Sequence, residues 1–260
     1  MSRSGIITLT TDFGLKDAYV GTMKGVILSI FPQARLIDIT HEIEPQNILQ
    51  ARFLLRNFVR YFPKGTVHLV VVDPGVGSER RAILVKSQGQ FLVGPDNGVF
   101  SDFFQADARI FHLTQKEFFL KEISQTFHGR DIFAPVCAHL ASGREPQEMG
   151  EEITDPLALP FPEPKKQGNL ILGEVIYIDR FGNLITNLTK EQIPQNAVIR
   201  ILGKEISGLS QSYAQHSPGS LLAIIGSSGL LEISLANDNA SLRLKAGIGQ
   251  PVEVILPEKS

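Results

Sequence analysis

Two carboxylates stand where apolar runs end. In Thr10-Thr11-Asp12-Phe13-Gly14 an acidic residue follows the run Ile6 to Thr11, and in Val71-Val72-Asp73-Pro74-Gly75-Val76-Gly77-Ser78-Glu79-Arg80 a second follows Thr66 to Val72. Ligands of open α/β sheets bind beyond the carboxyl ends of the strands, so Asp12 is placed to accept hydrogen bonds from a ribose diol. The same residue type at the same place also caps helices and stabilises turns. Asp73, a glycine-rich loop and Arg80 bring together a carboxylate and a guanidinium, a pair suited either to a reacting group or to a structural ion pair. The loop is no dinucleotide fingerprint, because Gly75-x-Gly77 lacks a third glycine and a following helix; no phosphate loop of the Gly-x-x-x-x-Gly-Lys type occurs in the chain.

Other segments carry polar groups at turns. Phe127-His128-Gly129-Arg130-Asp131 sets a histidine beside a flexible glycine, where an imidazole can serve as general base, hydrogen-bond donor or ligand. His41, His68, His112, His139 and His216 show no metal-like spacing. Val93-Gly94-Pro95-Asp96-Asn97-Gly98-Val99 offers Asp96 and Asn97 to a substrate, although Pro-Asp and Asn-Gly are also turn formers. Asp179-Arg180-Phe181-Gly182-Asn183 combines a carboxylate, a ring and an amide that could stack on and hydrogen-bond an adenine, or simply form a hairpin turn. Gly226-Ser227-Ser228-Gly229 offers close backbone approach and hydroxyls.

The elements that must hold these groups alternate in the first half. Strands are expected at Ile6 to Thr11, Arg35 to Ile39, Thr66 to Val72, Arg81 to Lys86, Gln90 to Val93 and Arg109 to Leu113, and helices at Tyr19 to Phe31, Gln46 to Tyr61 and Arg130 to Ala141, the last bent or shifted by Pro135. This is α/β organisation with a mostly parallel sheet. Residues 143–168 carry five prolines and few periodic apolar residues, the composition of a linker between a domain at 1–160 and another at 168–260. Beyond it, short runs at Ile171 to Ile178, Leu184 to Leu188, Val198 to Leu202, Leu221 to Ile225, Leu230 to Leu235 and Val252 to Leu256 predict a smaller all-β barrel or sandwich.

Composition narrows the function classes. With 43% hydrophobic and 20% charged residues the chain of 260 buries a large core. A formal net charge of −2 gives no electrostatic footprint for nucleic acid, so a small-molecule ligand is expected. The single cysteine, Cys137, excludes an internal disulfide and a multi-thiolate zinc site, and its apolar surroundings read as packing. Met1 to Gly5 lacks the apolar stretch of a signal peptide and no run is long enough to span a bilayer, so a cytoplasmic protein without a membrane partner is expected.

Taken in order, the motifs around Asp12, Asp73, Gly94 to Gly98, His128 and Asp179 to Asn183 resemble the S-adenosyl-L-methionine hydroxide adenosyltransferase family, relatives of the adenosyl halogenases, over nearly the whole chain. The resemblance implies an enzyme that attacks the ribose C5′ of S-adenosyl-L-methionine with water, releasing adenosine and methionine. It implies no metal and no separate cofactor, and a homotrimer whose sites lie between one subunit's first domain and its neighbour's second. Carried over by position, Asp73, Arg80 and His128 match the water-activating triad. Asp12 matches the ribose carboxylate, with Phe13 beside it, and Asp17 the group that binds the methionine amine. Asp179 and Asn183 match substrate-binding positions, Phe181 stacks near the base, and Ser227 with Glu232 to Leu235 corresponds to the adenine-binding edge. Halogenating relatives carry a tyrosine where this chain has His128 and an aromatic residue where it has Asp73, which favours water over halide. A halogenase and a non-catalytic sensor of S-adenosylmethionine or adenosine are the competing readings.

Overall fold

The structure is a computed structural model that describes residues 3–257. The chain divides between Pro160 and Phe161 into two compact units. The first unit runs β1 (Ile6–Thr11), α1 (Tyr19–Ile30), β2 (Arg35–Thr40), α2 (Ile48–Phe58), β3 (Val67–Val71), β4 (Ala82–Ser87), β5 (Gln90–Pro95), β6 (Arg109–Leu113), α3 (Ala134–Ala141) and β7 (Gly150–Ile153). Its strands form one sheet in the order β2-β1-β3-β5-β4-β6-β7.

That sheet is mixed, which corrects the expectation of a mostly parallel one. The pairs β1 with β2, β1 with β3 and β3 with β5 are parallel, whereas β4 with β5, β4 with β6 and β6 with β7 are antiparallel. The reversal is local chemistry. Ser87 pairs with Gln90 across a two-residue turn, and both turn residues, Gln88 and Gly89, have positive φ (52° and 78°). Turns of that hand match the twist of an antiparallel hairpin, so β4 and β5 cannot be joined in parallel.

Burial on both faces explains the continuous apolar runs. Along β3, Val67, Leu69 and Val71 pack with Met23 and Ile27 of α1 and Val136 of α3. The alternate residues Val70 and Val72 pack with Ala51 and Leu55 of α2. Each such side chain contributes roughly 1.5–3 kcal/mol when fully buried, so β3 is the fixed centre from which the loop after it projects. Helix α2 starts at Asn47, whose side chain accepts from the Gln50 N–H at 2.9 Å. Before α3 comes a π-helical turn, Gly129–Phe133. Pro135 stands in the first turn of α3, directly after the π-helical turn, where its missing N–H interrupts no bond of that helix.

The second unit is β8 (Lys165–Gln167), β9 (Leu170–Ile178), β10 (Leu184–Thr189), β11 (Val198–Ile201), β12 (Lys204–Ser207), β13 (Leu221–Ile225), β14 (Leu230–Leu235), α4 (Ala240–Leu244) and β15 (Pro251–Ile255). All its strand pairings are antiparallel, in the order β12-β11-β15-β9-β10-β14-β13 with β8 added to β9, and the end strands β12 and β13 approach each other to give a nearly closed barrel. Val175, Leu184, Ile199, Leu231, Ile233 and Val254 fill it. Residues 143–168 are not one irregular connection, since they contain β7 of the first sheet and β8 of the second. Among the described residues no helix is long and apolar enough to cross a membrane.

Candidate active site

In the first unit a cleft of about 400 Å³ lies beyond the carboxyl ends of β1 and β3, and Asp12, Phe13, Asp73 and His128 all line it. Turn chemistry folds the chain after β3 back on itself: Ser78 N–H and Oγ both donate to the Gly75 carbonyl, and the Arg80 N–H donates to Ser78 Oγ. Arg80 thereby returns to Asp73, seven residues earlier. Gly77 sits at φ 76°, and a Cβ there would lie 2.3 Å from the Gln125 carbonyl oxygen, so only glycine lets this loop approach the segment that carries His128.

Arg80 joins the other two members. Its Nε donates to Asp73 Oδ1 at 2.9 Å and Oδ2 at 3.0 Å, its Nη2 donates to Asp73 Oδ2 at 2.5 Å, and the same Nη2 lies 2.9 Å from His128 Nδ1. A guanidinium only donates, so His128 Nδ1 is an acceptor and the neutral ring carries its proton on Nε2. Burial lowers the His128 pKa below its ordinary value and the Arg80 charge lowers it further, while Asp73, Asp131 and a hydrogen bond to the Ser124 backbone act the other way. The imidazole is therefore neutral near pH 7. Asp73 and His128 line the cleft, and the carboxylate is the acceptor of the three groups that carries negative charge.

The surrounding loops are fixed by buried polar groups. The Asp131 carboxylate, fully buried, accepts from the Ser124 N–H at 2.8 Å and pairs with Arg130. Burial works to raise its pKa, and these partners outweigh it and hold it below the usual carboxylate value. The loop entering at His128 is tied down in this way. On the opposite wall, Thr11 Oγ1 lies 2.8 Å from His41 Nδ1 and accepts from the Phe13 N–H, while the His41 carbonyl accepts from the Gly14 N–H at 2.7 Å. Asp12 Oδ2 accepts from the Gln46 N–H at 2.8 Å.

Not every expected residue reaches this cleft. Asp96 is buried and spent on Arg81 (2.8 Å) and the Leu157 N–H (2.8 Å). Asn97 donates to the Val72 carbonyl at 2.8 Å, so it supports the residue before Asp73 rather than lining the cavity. Asp17 is exposed in the bend before α1 and is not part of the cleft wall.

The second unit holds its own cavity, about 790 Å³, lined by Asp179, Phe181, Asn183, Ser227, Glu232 and Leu235 together with Tyr213, Asn237 and Asp238. Asp179 closes the β9–β10 turn: Oδ1 accepts from the Phe181 and Asn183 N–H groups at 2.9 Å each and Oδ2 from Asn183 Nδ2 at 2.8 Å. The turn leaves the Phe181 ring 75% exposed and available to stack on a planar ligand. Tyr213 Oη donates to Glu232 Oε1. Burial raises the Glu232 pKa and nearby Asp179 adds to it against the hydrogen bonds from Tyr213 and Ser234, and the Tyr213 phenol is pushed up to about 12 by burial and by Glu232. Sequence reasoning missed Tyr213, which opens a single 3-10 turn with no motif around it, and Asn237 and Asp238, which follow β14 as an ordinary turn. It also missed Tyr19 and Gln46 on the first cleft. Among the described residues no group of three or more His, Cys, Asp or Glu side chains could hold a metal ion.

Comparison with known proteins agrees along the chain. Residues 7–150 match the SAM hydroxide adenosyltransferase N-terminal domain and residues 173–253 the corresponding C-terminal domain. The chain is 38% identical to a protein named (R)-S-adenosyl-L-methionine hydrolase from Methanocaldococcus jannaschii, covering 96% of this chain and 95% of that one. It is 27% identical to a protein named fluorinase from Nocardia brasiliensis, covering 97% and 98%. The crystal structure of an uncharacterized conserved protein from Thermotoga maritima superimposes with a TM-score of 0.89 at 37% identity, covering 96% of this chain and 99% of that one.

Proposed function

The chain belongs to the SAM hydroxide adenosyltransferase family, and from that premise we propose that it hydrolyses S-adenosyl-L-methionine at the ribose C5′ carbon, giving adenosine and L-methionine. The observation that carries this reading is the Asp73–Arg80–His128 chain at the wall of a cleft that also contains Asp12.

The chemistry asks for a water in line with the C5′–S bond and a group to take its proton. As the water oxygen bonds to C5′, the C–S electron pair leaves on sulfur, which becomes the neutral thioether of methionine, so no acid is needed at the leaving group. Asp73 takes the proton. Arg80 orients that carboxylate through two of its nitrogens, and neutral His128 orients Arg80 by accepting from Nη2. Asp12 holds the ribose hydroxyls. In the second unit Phe181 stacks on the adenine while Tyr213, Glu232, Asn183 and Ser227 supply polar contacts. The reading invokes no metal or organic cofactor, because the sulfonium is already an activated leaving group.

The homotrimer implied by the family has the first unit of one subunit and the second unit of its neighbour share one substrate. It is supported by the division of labour in this chain, with the proton-handling triad lining one cavity and the ring and amide groups the other. A halogenase is the competing reading, since fluorinases are also relatives. Halide is a nucleophile without deprotonation and gains nothing from a carboxylate in the cleft. Incubating the protein with S-adenosylmethionine in chloride or bromide buffer tests the choice. Adenosine is expected; 5′-halogenated nucleoside in its place would reverse the conclusion.

A further inference from the structure

Three aromatic rings stand together on the wall of the cleft that holds Asp73 and His128. The ring centroids of Phe13 and Tyr19 are 5.6 Å apart, those of Phe13 and Phe127 5.8 Å, and those of Tyr19 and Phe127 5.1 Å. All three line the cavity. Tyr19, the first residue of α1, is 49% exposed despite its size. A side chain there that served only the core would be covered, as Val20, Met23 and Ile27 of the same helix are. The cluster already carries one cation, since the Arg130 guanidinium lies 5.1 Å from the centroid of the Phe127 ring.

Aromatic faces are negative at the centre and attract cations that have lost part of their hydration. The other charges at the cleft sum to a negative one, since Arg130 is itself matched by Asp131. Arg80 is matched by Asp73, which leaves the Asp12 carboxylate as net negative charge facing the cavity. We propose that Phe13, Tyr19 and Phe127 form a subsite for the substrate's sulfonium, recognising its positive charge rather than its shape. The inference rests on the S-adenosylmethionine reading above and adds a selection rule to it. Attack at C5′ converts the sulfonium into a neutral thioether, so the attraction disappears as the bond breaks. The rings hold substrate and let product go. An interaction stronger in the ground state than in the transition state raises affinity without raising turnover. Loss of a ring therefore raises KM and leaves kcat undiminished.

The test compares two non-reacting ligands by titration calorimetry: S-adenosyl-L-homocysteine, a neutral thioether, and the analogue in which a carbon bearing a primary ammonium replaces the sulfur. The wild-type protein should favour the cationic analogue. Tyr19→Leu, which keeps apolar bulk and removes the ring, should shrink that preference by about 2- to 30-fold, the span of a cation–π contact. Tyr19→Phe should keep it. Phe13→Leu provides a second ring deletion if Tyr19→Leu does not fold. An unchanged ratio in a folded ring-deletion variant, with both ligands weakened alike, would mean that the rings stack on a neutral part of the substrate, and would overturn the proposal. Binding of neither analogue to the wild-type protein would overturn the S-adenosylmethionine reading itself.

Discussion

Replacing Arg80 with lysine isolates what the guanidinium fork contributes. Three of its hydrogen bonds go to Asp73 and one to His128, with Nη2 shared between the two partners. An ammonium on a flexible stem can neutralise Asp73 but cannot bind it through two nitrogens while also reaching His128. The change therefore keeps the charge and removes at least one charge-assisted hydrogen bond, worth about 1.5–3 kcal/mol. If that bond holds Asp73 on the attacking water, kcat falls by roughly 10- to 150-fold. Asp73 and Arg80 side chains are only 5% and 10% exposed, so deleting the cation outright, as in Arg80→Ala, would leave a buried unpaired carboxylate and cost about 3–5 kcal/mol of stability. Lysine avoids that confusion. The assay is chromatographic measurement of adenosine under saturating S-adenosylmethionine, with thermal unfolding as the control for folding. A lysine variant that unfolds like the wild type and turns over within about threefold of it, a difference under 1 kcal/mol, would remove the Arg80 fork from the mechanism.

Other outcomes follow from the same geometry. His128→Gln keeps an acceptor for Arg80 and should retain most of the activity, whereas His128→Ala should lose about 10²-fold; equal losses in both would make the imidazole the base. The His128 pKa is depressed by burial and Arg80, so the acid limb of kcat against pH should lie below the ordinary histidine value; protonation would set an imidazolium N–H against an Arg80 N–H. In the same window the unfolded chain binds more protons than the folded one, so stability also falls as pH drops, and an acid limb above the ordinary value would contradict the assignment. Gly77→Ala should destabilise the protein by about 1 kcal/mol or more and lower kcat, because its Cβ would strike the Gln125 carbonyl and push the Asp73 loop away from His128; a variant as stable and active as the wild type would refute that fit. Tyr213→Phe leaves Glu232 without its phenol donor and should weaken substrate binding by roughly tenfold, seen as KM; an unchanged KM would take Tyr213 out of the binding site.

The parts of the fold that were legible before the structure are those with a strong local pattern. The run through Thr66 to Val72 is apolar because β3 is covered on both faces, and a carboxylate directly after such a run is conspicuous. The relative direction of the strands was not legible in the same way. It turned on Gln88 and Gly89, a turn whose positive φ at a glutamine carries no composition signal. The strands β7 and β8 were hidden in a proline-rich stretch because short edge strands need little apolar alternation. Asp96 and Asn97 lie in a motif as suggestive as that of Asp73, yet their side chains bond to Arg81, the Leu157 N–H and the Val72 carbonyl; which member of a turn faces the cavity depends on such long-range partners. Tyr213 had no neighbours of chemical interest in sequence, and only its contact with Glu232 reveals it.

The central claim is that water, activated beside Asp73, attacks C5′ directly. Purified protein incubated with S-adenosylmethionine in halide-free buffer made with heavy-oxygen water, with adenosine followed by mass, tests it most directly. The account predicts adenosine carrying heavy oxygen at C5′ with methionine released in equal amount. Adenosine without the label, or bound ligand with no product above the enzyme-free control, would contradict it.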